Sequence, residues 1–182
     1  MTSLTGIAPA GQTKLIVQGE HAITDDPDTI ISTLLGSCVA CCLWDDTVGV
    51  GGMNHLLLAG QKIGSGSGYD MAGVAEMEVL INAIIKNGGR RENLKAKVFG
   101  GAQMLETATQ IGEDNARFAF DFLKQENIAC INSSVGGTSA RALRFWGATG
   151  RVNMRLLTET PPEPVAPPKP AAAPVGNDLE LF

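Results

Sequence analysis

Positive charge is in short supply in this chain. Fourteen Lys and Arg face 19 Asp and Glu across 182 residues, for a net charge of −5. No basic patch stands out, so nucleic acid is not expected as the main partner. Long apolar runs are missing as well. Nothing approaches the length of a membrane span, and no membrane insertion is expected. The opening residues, Met1 to Gln12, lack the charged start and apolar run of a signal peptide and read as a disordered lead-in. Cysteine is sparse and oddly placed, at 38, 41, 42 and 130. The neighbours Cys41 and Cys42 are poorly placed to bridge each other, and four such residues make no small-domain disulfide framework. A reducing cytoplasm suits them. Histidine is scarce too, with only His21 and His55.

What the chain does have is 44% hydrophobic residues against 18% charged, enough for a real core in one domain. Three cysteines and one histidine gather in one stretch. Leu35-Gly36-Ser37-Cys38-Val39-Ala40-Cys41-Cys42-Leu43-Trp44 is followed by Gly51-Gly52-Met53-Asn54-His55. Glycine before Cys38 allows a tight turn that presents N–H groups and a side chain into one small space. Two short strands joined at Asp45-Asp46-Thr47 would bring Cys38 and His55 together. A thiol beside an imidazole is the minimal apparatus for nucleophilic catalysis. The rival readings are cysteines buried as small hydrophobes and a zinc site built from Cys38, Cys41, Cys42 and His55. Zinc is disfavoured because Cys41 and Cys42, adjacent on a strand, point to opposite sides, and there is no second Cys-x-x-Cys pair.

The remaining pattern predicts strands at 14–18 and 29–34. A strand through 37–44, apolar on both faces and so central, is followed by a return strand at 48–55. The glycines of that return strand point to close approach of another backbone or of a substrate. His21 reads as a surface or turn residue. Residues 59–68 form a Gly/Ser loop. A helix runs from Tyr69 to Lys86, with Val74, Met77, Ile81 and Ile84 on one stripe, Asp70 as its cap, and a stop at Asn87-Gly88-Gly89. A strand at 94–99 ends at Gly100-Gly101, a short helix begins at 102–105, and a second amphipathic helix runs from Asn115 to Gln125. Strands follow at 128–132, 142–146 and 151–157. The domain is therefore expected over 13–158, after the lead-in of 1–12. Seven of the nine prolines fall between Pro161 and Pro174, so 159–182 reads as an extended tether ending in an acidic and apolar motif, Asn177 to Phe182.

The run from Leu35 to Asp45, with Gly51 to Leu58, resembles the signature of the CheD family of chemoreceptor glutamine deamidases. So do Val17 to Thr24, Val98 to Met104, Ile111 to Asn115 and Gly136 to Arg141. The resemblance spans about residues 14 to 157. It implies an α+β fold, a mixed β-sandwich-like core flanked by helices, as in cysteine hydrolases of the cytotoxic necrotizing factor type. It assigns the nucleophile to Cys38 and the base to His55, and needs no cofactor. Its substrates would be glutamines on the cytoplasmic helices of chemoreceptors, and a CheC-type phosphatase would be a further partner.

The family also orients its histidine with a hydroxyl six positions before the cysteine. That position is Ser32, with Thr33 beside it. Counting along an unbroken strand favours Ser32, and a bulge at Gly36 would reverse the choice. Gln103, Thr138 and Arg141 follow glycine pairs and are candidates for the rim of the site. Cys41, Cys42 and Cys130 are assigned to packing. Two other readings keep part of this picture: a non-catalytic docking module, and an acyl-enzyme intercepted by an amine or formed from a methyl ester.

Overall fold

A computed structural model of the chain describes residues 11–58, 71–104 and 110–157. The Gly/Ser loop, the Asp70 cap and the proline-rich tail lie outside the described residues. In chain order the elements are β1 (Thr13–Leu15), β2 (His21–Thr24), β3 (Ile30–Leu35), β4 (Val39–Asp45), β5 (Val50–Asn54) and α1 (Met71–Lys86). They continue with β6 (Lys95–Gly100), α2 (Ile111–Gln125), β7 (Ala129–Val135), β8 (Arg141–Trp146) and β9 (Arg151–Leu156).

The strands form two mixed sheets. One has the order β2-β5-β4-β6-β7, the other β1-β3-β8-β9. Among the described residues only β6–β7 and β1–β3 are parallel. The five-stranded sheet is the middle layer. One face carries Ile23, Val39, Cys41, Leu43 and Val98 against Met77, Leu80, Ile81 and Ile84 of α1 and Ala119, Phe122 and Leu123 of α2. The other face carries Ala22, Ala40, Cys42, Trp44, Met53 and Phe99 against Ile31, Leu35, Leu143 and Phe145 of the second sheet. Every residue of β4 is buried, because the strand is covered on both sides. The expected α+β class, with a two-sheet core and flanking helices, is present, and both helices lie on the same side.

Glycine sets the contact between the sheets. A Cβ on Gly51 would stand 2.4 Å from the Gly147 carbonyl oxygen in the β8–β9 turn, so only glycine lets the two backbones approach there. Several sequence expectations need correcting. His21 is a half-buried strand residue paired with Asn54, where a turn was expected. Residues 101–104 are irregular and not the start of a helix. Helix α2 starts four residues earlier than expected, at Ile111, because its first turn packs against the chain after β6. Cys130 is exposed on β7, an edge strand, and packs no core.

Candidate active site

The chain leaves β3 at Leu35, bends through Gly36-Ser37-Cys38 and enters β4 at Val39. Val39 and Leu56 form an antiparallel bridge in which each N–H donates to the other's carbonyl, at 2.9 and 2.7 Å. That register sets Ala40 opposite His55 and Cys38 opposite Leu57. His55 thus shares a face with Ala40, and Cys38 stands two residues before Ala40, where the bend ends. The face is the one between the sheets: Ala40 lies in that core and Cys38 packs against it.

Thr33 reaches the same space from the second sheet. On β3 the residues Ile31, Thr33 and Leu35 point inward, whereas Leu34 is exposed and Ser32 shares its side. The Thr33 hydroxyl lies 2.8 Å from His55 Nδ1 and donates to the Ile16 carbonyl at 2.8 Å. A hydroxyl has one proton, and Ile16 takes it. His55 Nδ1–H must therefore be the donor to Thr33, which leaves Nε2 unprotonated as the base. This corrects the count that favoured Ser32. The bend at 36–38 breaks the strand on which the count depended, and the alternation restarts at Val39.

Burial tunes both reactive groups towards their neutral forms. Loss of water lowers the His55 pKa from 6.5, against smaller opposing effects of the Ile16 carbonyl and the Glu20 charge. Burial raises the Cys38 thiol above 9.0; its own N–H pulls the other way, and the Glu76 charge adds to the rise. The resting pair is a thiol and a neutral imidazole, the arrangement in which a base removes the proton as attack occurs.

Glycines make room behind the nucleophile. Gly100, at φ +113°, lies so close to the Cys38 carbonyl that a Cβ would be 2.1 Å away. Gly101 donates its N–H to that carbonyl at 2.8 Å. Of the rim candidates, Gln103 and Thr138 line a cavity of about 270 Å³ with Gly101, Glu113, Gly136 and Gly137. Arg141 is buried beneath this loop and donates to the Gly136 and Ser139 carbonyls and to Ser134 Oγ. The zinc alternative would need Cys38, Cys41, Cys42 and His55 to converge. Cys41 faces the helices while Cys42 faces the second sheet, so they do not.

One residue with a place in this arrangement lies in a stretch that carries the family resemblance but was not among the site candidates: Asn115, whose side chain contacts Ser37 and Leu58.

The comparisons with known proteins decide the family. A protein of Agrobacterium fabrum named probable chemoreceptor glutamine deamidase CheD is 45% identical over 171 residues, covering 92% of this chain and 94% of the relative. A Caulobacter vibrioides protein of the same name is 44% identical over 192 residues, covering both chains in full. This chain belongs to the CheD family. The CheD family profile, described as CheD chemotactic sensory transduction, matches residues 68–156, a stretch that takes in every element from α1 to β9. Cys38 and His55 lie outside that profile match but inside the stretch shared with the full-length CheD relative. Among solved structures, the Neisseria meningitidis protein NMB0706 is similar at a TM-score of 0.43 and 14% identity over 79% of this chain and 72% of that one.

Proposed function

We propose that this CheD-family chain hydrolyses glutamine side chains of chemoreceptors to glutamate, with Cys38 as nucleophile and His55 as general base. The observation that carries the mechanism is the relay of His55 Nδ1–H to Thr33 and on to Ile16, which leaves Nε2 as an acceptor on the face it shares with Cys38. The relatives' shared name, chemoreceptor glutamine deamidase, supports the substrate class.

In the proposed sequence His55 Nε2 takes the thiol proton as Cys38 sulfur attacks the side-chain carboxamide carbon. The tetrahedral adduct collapses, the C–N bond breaks, and His55 returns the proton so that ammonia departs. The thioester remains. His55 then deprotonates a water, which attacks the thioester carbon. The C–S bond breaks, the proton returns to sulfur, and glutamate is released. One water is consumed and one ammonia formed. Backbone N–H groups at the bend are suited to stabilise the oxyanion, each such donor contributing about 3 kcal/mol. Thr33 keeps the imidazole in the reactive tautomer, and the orienting role falls to it in place of Ser32.

The two-sheet core with helices on one side is compatible with the cysteine hydrolase fold of the cytotoxic necrotizing factor type. The catalytic unit is taken as residues 13–158, acting in the cytoplasm, with 159–182 as a tether. A CheC-type phosphatase would share the receptor-binding surface. The test is mass spectrometry of a chemoreceptor cytoplasmic fragment incubated with the chain, beside Cys38→Ala. A gain of about one mass unit at glutamine, present only with intact Cys38, supports the proposal. No gain with the intact chain, or an equal gain with C38A, overturns it.

A further inference from the structure

Three successive carbonyls in the bend that carries the nucleophile are each held by a donor. Gly36 C=O accepts from Ala102 N–H at 2.9 Å, and Cys38 C=O accepts from Gly101 N–H at 2.8 Å. The carbonyl between them, on Ser37, accepts from Asn115 Nδ2 at 2.8 Å. The first and third donors are backbone; the middle one is a side chain 78 residues away. The same amide uses its oxygen elsewhere. Asn115 Oδ1 accepts from Leu58 N–H at 2.9 Å, three residues beyond His55. Asn115 is wholly buried. One carboxamide thus ties the residue before Cys38 to the segment that leaves His55.

The seating of α2 fits this contact. A Cβ at Gly112 would stand 2.5 Å from the Gly101 carbonyl and 2.7 Å from that of Ala102. Without side chains at Gly101 and Gly112 the first turn of α2 sits directly behind the bend. Asn115, three residues along, is then within reach of Ser37. The helix receives no side-chain cap at Gln110, so this contact is not a by-product of capping.

We propose that Asn115 is a positioning residue: it fixes the spacing and orientation of Cys38 and His55 by holding the backbone on both sides of the pair. This rests on Cys38 and His55 being the reacting groups. Asn115 touches neither sulfur nor imidazole and acts through Ser37 and Leu58. Its loss therefore lowers kcat and leaves KM largely alone, since the substrate surface is unchanged.

The test compares the full chain with Asn115→Asp and Asn115→Ala. N115D keeps the acceptor for Leu58 but sets an oxygen against the Ser37 carbonyl; N115A removes both contacts. Asn87→Ala is the control, because Asn87 donates to the Ala83 carbonyl at the far end of α1 and plays no part in the site. Three quantities are read: kcat and KM on a receptor fragment, the pH dependence of iodoacetamide alkylation of the Cys38 peptide, and the urea midpoint. The expected result for N115D is a tenfold or greater fall in kcat and a KM within twofold of the parent. The Cys38 alkylation profile of N115A, which adds no charge, moves towards higher pH, while N87A matches the parent in kcat and alkylation at whatever stability it retains. A kcat within twofold of the parent overturns the inference. So does a fall in kcat no larger than the unfolded fraction explains, with an unmoved alkylation profile. If N115D does not fold, Asn115→Ser, smaller and uncharged, is measured against the same outcomes. If the parent fails to deamidate the fragment, the functional proposal fails, and the alkylation profiles still decide the role of Asn115.

Discussion

Thr33 spends its one hydroxyl proton on the Ile16 carbonyl, so it can only accept from His55. Thr33→Val keeps the shape and deletes the hydroxyl acceptor, leaving His55 Nδ1–H with the Ile16 carbonyl alone to orient it. We expect kcat to fall by roughly tenfold to a hundredfold, less than the 10²–10⁴ contribution typical of a whole general base, because the imidazole itself remains. Thr33→Ser should recover most of it, and Ser32→Ala should stay within about twofold, since Ser32 lies on the far side of β3. Receptor-fragment deamidation by mass spectrometry separates the three; equal losses for S32A and T33V would put the relay in error. A pH profile follows from the same geometry. Because burial lowers the His55 pKa from 6.5, its base form already dominates at neutral pH, and the rising limb of kcat/KM should have its midpoint below 6.5. A midpoint above 6.5 would contradict the neutral resting pair. At this scale the sequence was half legible. The spacing of Cys38 and His55 pointed to a dyad because two short antiparallel strands bring the two ends of that stretch to the same edge of the sheet. The choice of hydroxyl was not legible, since alternation cannot be counted through a bend.

Among the elements, the approach of α2 to the chain after β6 depends on side chains that are missing. Gly112→Ala would drive a methyl group into two backbone carbonyls at 2.5 and 2.7 Å, and neither can swing away. We expect a loss of about 1–3 kcal/mol, as for overpacked cores, together with a fall in kcat as Asn115 is pushed off Ser37. Gly88→Ala gives the contrast. Gly88 has φ +98°, but nothing lies within 4 Å of where its Cβ would stand, so only the left-handed backbone resists, at about 1–2 kcal/mol and with kcat unchanged. Urea midpoints and kcat measured together distinguish the two; an inactive G88A or a fully active G112A would contradict the link from helix seating to site. The order of strands and helices could be read from alternation and from apolar stripes at helical spacing. The seating could not, because it joins Gly112 to Gly101 and Asn115 to residues 78 and 57 positions away. The strand β2 was missed for a related reason: its four residues gain their place only by pairing with β5.

The whole molecule is a sheet between two unlike covers, helices on one side and a second sheet on the other, and its assembly was the least legible feature. Ile31 pairs with Phe145 and Thr33 with Leu143, more than a hundred residues apart, so no local pattern assigns β3 and β8 to one sheet. Both histidines sit within this assembly, and the fold disfavours protonating either. Burial lowers the pKa of His21 as it does that of His55, with the Lys14 charge adding to the effect at His21. The unfolded chain takes up protons at both positions near pH 6.5, whereas the native state resists until lower pH. The unfolded state then binds more protons, so stability is fully present above 6.5 and is lost as pH falls through the lowered native values. A second loss follows at lower pH. Asp45 is buried, which by itself raises its pKa, but hydrogen bonds from Thr47, Arg90 and Asn93 outweigh this and hold it below 3.8; those from Thr29 and Gly11 do the same for Asp26. Acid unfolding should therefore proceed in two stages, one beginning near pH 6.5 and one below 3.8. Urea midpoints between pH 7.5 and 5 should decline for the parent and stay nearly level for a chain carrying both His21→Gln and His55→Gln, while the lower stage remains. An equal decline in the double variant would place the acid sensitivity outside the two histidines and would remove the support for a neutral His55 in the resting site.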